Sequence, residues 1–370
     1  MANMNVRTPR FYVDTINYVM SRGVAQDGEF DVLATNAGAY QIGLQTGTEA
    51  ELFDMKPLNK CTFDTSADTD GHVMITIDLG AAGHMYKTSY IAILNHNLKN
   101  AVGKIRIFAG DQSTDITAVD GANVDKADIT SNGWTDMNTA EVVNADTVTV
   151  ASDELSVVIE PADQGSTIIK FDEIALRYWC IQFEGNTTNT GNATNGTWGG
   201  TDLYVGGIMI GEYYDMPHAP DLNVKRSIMF DKVKIQESVG GQRYSNMTSF
   251  GRQSQEIDDI THSPFSTSSY FYTGYGGRIA YDMNFSYLNS TDIMPNEYKS
   301  LQYSDDAVIE DVWNKTNGPH LPFIFSIDKD SEGADAESEH LFARFAQDSL
   351  EMTQVALDTF NISMRIEEEF

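Results

Sequence analysis

The stretch VMITIDLG (73–80) decides the fold class. Val73, Ile75, Ile77 and Leu79 alternate with Met74, Thr76 and Asp78 until Gly80 ends the run. A period of two sends successive side chains to opposite faces of an extended chain, so the stretch is predicted to be a half-buried strand. Working outward, the pattern recurs at 90–94, 104–108, 155–159, 167–171 and 174–183, and Gly, Asn, Asp or Pro separates the runs. Those residues favour turns: Gly reaches left-handed backbone angles freely, and Asn and Asp satisfy a turn's backbone groups with their own side chains. Many short strands divided by turns predict a β-sandwich.

The second half has its own rhythm. Beyond 203–214 the chain reaches PHAP (217–220), where a domain boundary is expected. This divides the chain into 1–35 (an N-terminal arm or first strand), 36–215 (the sandwich) and 216–370 (a second β-rich domain). Polar insertions at 111–153 and 186–202 are expected as surface loops. After the boundary, strands are expected at 225–235, 244–250, 279–287, 321–327, 341–346, 351–357 and 360–367, with a Gly240-Gly241 turn between the first two. Ala307, Val308, Val312 and Trp313 recur at helical spacing; Asp292 or Ser304 is the candidate cap, and Asn317-Gly318-Pro319 the stop.

Charge narrows the function. The 370 residues carry 54 Asp and Glu against 24 Lys and Arg, a formal net charge of -30. Affinity for a phosphate backbone comes from clustered cations that release counterions, so neither nucleic acid nor an anionic membrane is an expected partner. No run of about 18 apolar residues suggests membrane insertion, and no secretory leader is read at the amino terminus. Cys61 and Cys180 are too few for a disulfide framework and are expected as buried thiols.

No motif for catalysis stands out. The paired glycines lack the spacing that cradles phosphate, and the seven histidines form no i, i+4 pair that would grip a metal from one helix. No cofactor and no metal is expected. Asp64, Asp68 and Asp70 share a loop without a calcium-binding pattern, which favours a solvated acidic turn. Two features are candidates for binding. An apolar strand runs straight into Asn95, His96 and Asn97, which either brace a sandwich corner by hydrogen bonds or display amide and imidazole groups to a ligand. Trp134 and Trp198 lie in polar loops, where an indole either stacks on a sugar or a partner or packs locally.

Taken together, VMITIDLG (73–80), YIAILNHNL (90–98), KIRIFAGD (104–111) and ALRYWCIQFEG (175–185) resemble a discoidin or galactose-binding-like jelly roll, including modules of tailed-phage virion proteins. IGEYYDMP (210–217), the 224–250 hairpin with its SVGGQRY turn, YDMNFSYLN (281–289), LPFIFSID (321–328) and the closing ISMRIEEEF resemble a distal-tail or baseplate component of such a phage. The fold class this implies is mainly β: a jelly-roll sandwich, then a β-sheet or barrel domain with a flanking helix. The implied role is a non-enzymatic structural protein of the virion, made in the host cytoplasm and placed at the tail, tail tip or baseplate. Its implied partners are other virion proteins, further copies of itself and host surface glycan. A capsid decoration or head-fibre protein and a carbohydrate-binding receptor protein are the alternatives, with a depolymerase behind them. Arg7, Arg10, Phe11 and Tyr12 mix cations and aromatics near the terminus, and are expected either to dock on a neighbouring subunit or to form an ordinary first strand.

Overall fold

The computed structural model describes residues 7–21, 30–32, 42–67, 71–79, 87–111, 135–136, 139–144, 150–152, 157–162, 165–185, 197–230, 233–247, 278–294, 307–331 and 340–369. The alternating runs of the first half become β1 (Arg10–Asp14), β2 (Phe30–Val32), β3 (Leu44–Thr46), β4 (Cys61–Phe63), β5 (His72–Asp78), β6 (Lys87–His96) and β7 (Gly103–Gly110). They continue as β8 (Thr135–Asp136), β9 (Glu141–Val142), β10 (Val150–Ser152), β11 (Val157–Ile159), β12 (Thr167–Ala175), β13 (Tyr178–Gly185) and β14 (Leu203–Asp215). The second half supplies β15 (Lys225–Met229), β16 (Val233–Glu237), β17 (Arg243–Met247), β18 (Arg278–Asn289), β19 (Phe323–Ser326), β20 (His340–Phe345), β21 (Met352–Ala356) and β22 (Thr359–Glu368). Helix α1 (Thr15–Ser21) follows β1, and α2 (Ser290–Ile293) follows β18.

All described pairings are antiparallel, and the chain is mainly β. A seven-stranded sheet runs β10-β11-β7-β13-β5-β2 with β8 added to β7, and a thirteen-stranded sheet runs β15-β18-β22-β20-β19-β1-β14-β6-β12-β9 with β3, β4 and β21 at its flanks. The long sheet is open at β15 and β9, so among the described residues no barrel closes.

β1 sits at the centre of the long sheet. Its residues pair with β14 on one side, Phe11 against Tyr214, and with β19 on the other, Phe11 against Phe325. One face of this sheet is apolar along its length. Ile91, Ile93, Ile169, Ile208 and Ile210 meet Val73, Ile75, Ile77, Ile105, Ile181 and Phe183 of the seven-stranded sheet, forming the sandwich core. Farther along, Phe11, Tyr214, Phe285, Phe323, Phe325, Phe345, Ile362 and Ile366 form a second core with Ile293 of α2 and Val308, Ile309 and Val312 of a widened helical turn, Val308–Asn314. The opposite face is also buried, under Tyr12, Tyr90, Ala92, Leu94, Met209, Ile324 and Phe342.

Four details differ from the sequence reading. β5 is buried on both faces, because the alternate positions Thr76 and Asp78 are themselves covered, and Asp78 is held by a bidentate pair with Arg177 at 2.7 Å. The break expected at 172–173 is a bulge inside β12 between Lys170 and Ile174, and the chain turns only at Leu176 and Arg177. The strand expected over 225–235 is two strands in two sheets, with the Val233 N–H donating to the Phe230 carbonyl between them at 3.3 Å. The expected helix is short; Asn317 and Gly318, both at positive φ, stop it as the sequence indicates.

Candidate functional site

The corner at the end of β6 is built from side chains that replace missing backbone partners. Asn95 has left-handed backbone (φ 48°) and leaves the strand opposite Gly206, where a Cβ would lie 2.0 Å from the Pro57 carbonyl oxygen. Its Nδ2 donates to that same carbonyl at 2.5 Å. His96 bonds Thr167 Oγ1 through Nε2 at 2.8 Å and accepts the Leu98 N–H on Nδ1 at 3.3 Å, so its ring is neutral; burial pushes its pKa down to about 3. Asn97 donates to the Asp202 carbonyl and accepts the Tyr204 N–H, both at 2.8 Å. All three side chains are buried, and each makes at least one hydrogen bond inside the fold, although Asn95 Oδ1 is buried without a partner among the described residues. Together they brace the corner at the end of β6.

Trp198 is likewise inside, 3% exposed, with its indole N–H donating to the Gly71 carbonyl at 2.7 Å. It closes the sandwich end against Gly103, where a Cβ would come within 2.9 Å of the ring. Its polar neighbours in the sequence suggested an exposed loop; an aromatic ring near many Gly and Asn residues is equally a plug that needs small residues beside it. Trp134 lies outside the described residues.

The four candidate partner-binding residues at the terminus divide. Phe11 and Tyr12 are buried on opposite faces of β1, Phe11 with ring centroids 5.2 Å from Phe325 and 5.6 Å from Phe323, Tyr12 5.0 Å from Tyr90. Arg10 is buried, pairs with Asp215 through Nε at 2.5 Å and Nη2 at 2.8 Å, and lies 4.1 Å over the Tyr213 ring. A docking arm needs these groups in solvent, and central strand pairing removes them from it. Arg7 alone is half exposed, 3.2 Å from Asp328.

Other ionisable groups are also structural. Lys315 reaches Glu212 at 2.7 Å and Asp311 at 3.0 Å, all buried, and Asp311 also accepts the Ala307 N–H. Burial raises the Glu212 pKa and Lys315 opposes that rise; burial acts against the Lys315 charge, but its two carboxylates hold it on. This triad joins β14 to the helical turn beneath the second core. The two cysteines are free and buried, which pushes their thiols up to about 11 for Cys61 and about 12 for Cys180. Among the described residues no group of three or more His, Cys, Asp or Glu is placed to hold a metal ion, and no helix is long and apolar enough to cross a membrane.

Exposed chemistry gathers instead on the second half. β16 and β17 form a two-stranded sheet of their own, in register from Val233↔Met247 to Glu237↔Arg243, closed by a turn in which Gly241 takes positive φ. Among the described residues no further strand joins it, and an isolated two-stranded hairpin is marginal in water. Ile235 is 65% exposed, Tyr244 59%, and Val239 stands free at the tip. Beside it, the edge strand β15 and its continuation expose Ile228 and Phe230. The same stretch is cationic: Lys225, Arg226, Lys232, Lys234 and Arg243 against only Asp231 and Glu237. The turn of the hairpin is legible in the sequence, whereas its surface shows there only as a local excess of cations in a chain of net charge -30.

No family model matches the chain, and no curated protein matches it in sequence. Among solved structures it is similar to chitosan-binding module 1 of a chitosanase/glucanase from Paenibacillus sp. IK-5, over 50% of this chain and 93% of that one, at 12% identity and a TM-score of 0.25. It is also similar to a Streptococcus pneumoniae beta-galactosidase structure, BgaA, over 49% of this chain and 97% of that one, at 10% identity and a TM-score of 0.23. Likenesses at this level carry no functional argument, and the reading rests on the chain's own surface.

Proposed function

We propose that this chain is a structural protein of a tailed-phage virion, at the tail, tail tip or baseplate, which works by assembly with neighbouring subunits rather than by catalysis. The observation that carries the reading is the hairpin 233–247, which among the described residues pairs with no other strand. A two-stranded ribbon with Ile235, Val239 and Tyr244 in solvent gains its stability by packing on a partner. Next to it β15 is, among the described residues, an edge strand of the thirteen-stranded sheet, a ready acceptor for a strand from another chain. The resemblance of the second half to distal-tail components points the same way. Of the loop residues that a glycan-binding reading needs, Asn95, His96, Asn97 and Trp198 are buried within the fold. The test is electron cryo-microscopy of particles from the source virus. A ring of this chain at the tail end is the expected result; density on the capsid lattice would overturn the tail position, and absence from particles would overturn the proposal.

A further inference from the structure

Resting on the assembly reading, we infer that the cationic hairpin docks on the acidic surface of a second copy of this chain. The argument is charge complementarity. Of the five cations between 225 and 243, Lys234 and Arg243 lie on the hairpin 233–247, which holds one acid, Glu237, while the other 53 of the 54 acids lie outside it, so hairpin and body carry opposite charge. Lys234 is exposed and makes no ion pair among the described residues; across the ribbon it faces Asn246. Arg243 meets only Glu237, at 3.3 Å and in solvent. Lys234 is therefore an exposed cation with no ion pair among the described residues, beside the exposed side chains of Ile235 and Val239.

The whole-body repulsion between two such acidic chains does not forbid the contact. At physiological salt the Debye length is about 8 Å, so charges on the two bodies are largely screened from one another, while a hairpin touching the neighbour acts within that distance. Hairpin and acceptor are different surfaces, so the contact is head-to-tail. Repeated, it closes into a ring or runs as a filament.

The experiment is sedimentation velocity of the full chain at about 0.15 M salt, with and without Lys234→Glu and, separately, Ile235→Ser. Both residues are exposed, and circular dichroism checks that the fold is kept. Wild type is expected to form concentration-dependent oligomers, and each substitution to weaken them at least about tenfold. A wild type that stays monomeric up to about 100 µM, or oligomers that both substitutions leave intact, would overturn the inference. Its failure is separable from that of the virion reading. A monomer that is nevertheless found in particles sinks only the self-docking; a hairpin-dependent oligomer absent from particles sinks only the virion role.

Discussion

Replacing Lys315 by Met tests whether the two cores are one cooperative body. Lys315 and Asp311 belong to the second half and Glu212 to β14 of the first, so the triad crosses the seam at 2.7 and 3.0 Å. Methionine keeps much of the volume and removes the charge, leaving two buried carboxylates without their cation. Breaking a buried pair in this way costs about 3–5 kcal/mol. A second route gives a similar figure. Glu212 can escape by taking a proton, and keeping a carboxyl of ordinary pKa 4.5 protonated at pH 7 costs about 3 kcal/mol at 1.36 kcal/mol per unit. The sign of the pH dependence follows. A carboxyl whose folded pKa is raised contributes its full stability below about pH 4.5, and loses it as pH rises toward the folded value. The variant should therefore lose about 3–5 kcal/mol near neutral pH and recover most of the difference near pH 5, where protonation costs under about 1 kcal/mol. Urea unfolding followed by tryptophan fluorescence is the assay, since Trp313 lies in the same helical turn and Trp179 in the sandwich core. A loss below about 1 kcal/mol, or one of equal size at both pH values, would refute the reasoning.

Three further outcomes are expected. Phe11→Ala should destabilise the chain by about 3–5 kcal/mol in urea titrations, because the ring is enclosed by Phe323, Phe325 and Phe345; a docking arm would show no such loss. His96 is neutral when folded, with a pKa of about 3, so unfolding draws a proton below about pH 6.5; the stability gap between wild type and His96→Gln should narrow by about 2 kcal/mol from pH 8 to pH 5. Asp14, raised by burial to about 6, has the opposite slope between about pH 4 and 6, but it is present in both proteins and cancels from that gap. Gly206→Ala should cost about 1–3 kcal/mol or more and lower the melting temperature measured by calorimetry, since its Cβ meets the Pro57 carbonyl oxygen, which is backbone and cannot swing aside; an unchanged melting temperature would show that the corner yields.

Strand formation was legible because alternation is local: Val73, Ile75, Ile77 and Leu79 announce β5 without reference to any other residue. Turns at Gly240-Gly241 and Asn317-Gly318 were legible for the same reason, each resting on the backbone freedom of the residues themselves. The sequence leaves two roles open for Asn95, His96, Asn97 and Trp198, because polarity in a sequence does not reveal whether a partner waits inside. Asn97 finds Asp202 and Tyr204, more than a hundred residues away, and Trp198 finds Gly71.

What the sequence by itself determined about this protein is its β character, its turns, its acidic charge and the cationic patch at 225–243, all properties of residues near one another in the chain. Only the tertiary structure decided that β1 is the strand joining two cores, that the Asn95–Asn97 corner faces inward, and that, among the described residues, the hairpin pairs with neither large sheet. The physical reason is range. A period of two follows from one residue's geometry, whereas pairing Arg10 with Asp215 requires closing a loop of about two hundred residues, and no local pattern records which distant edge pays that entropy.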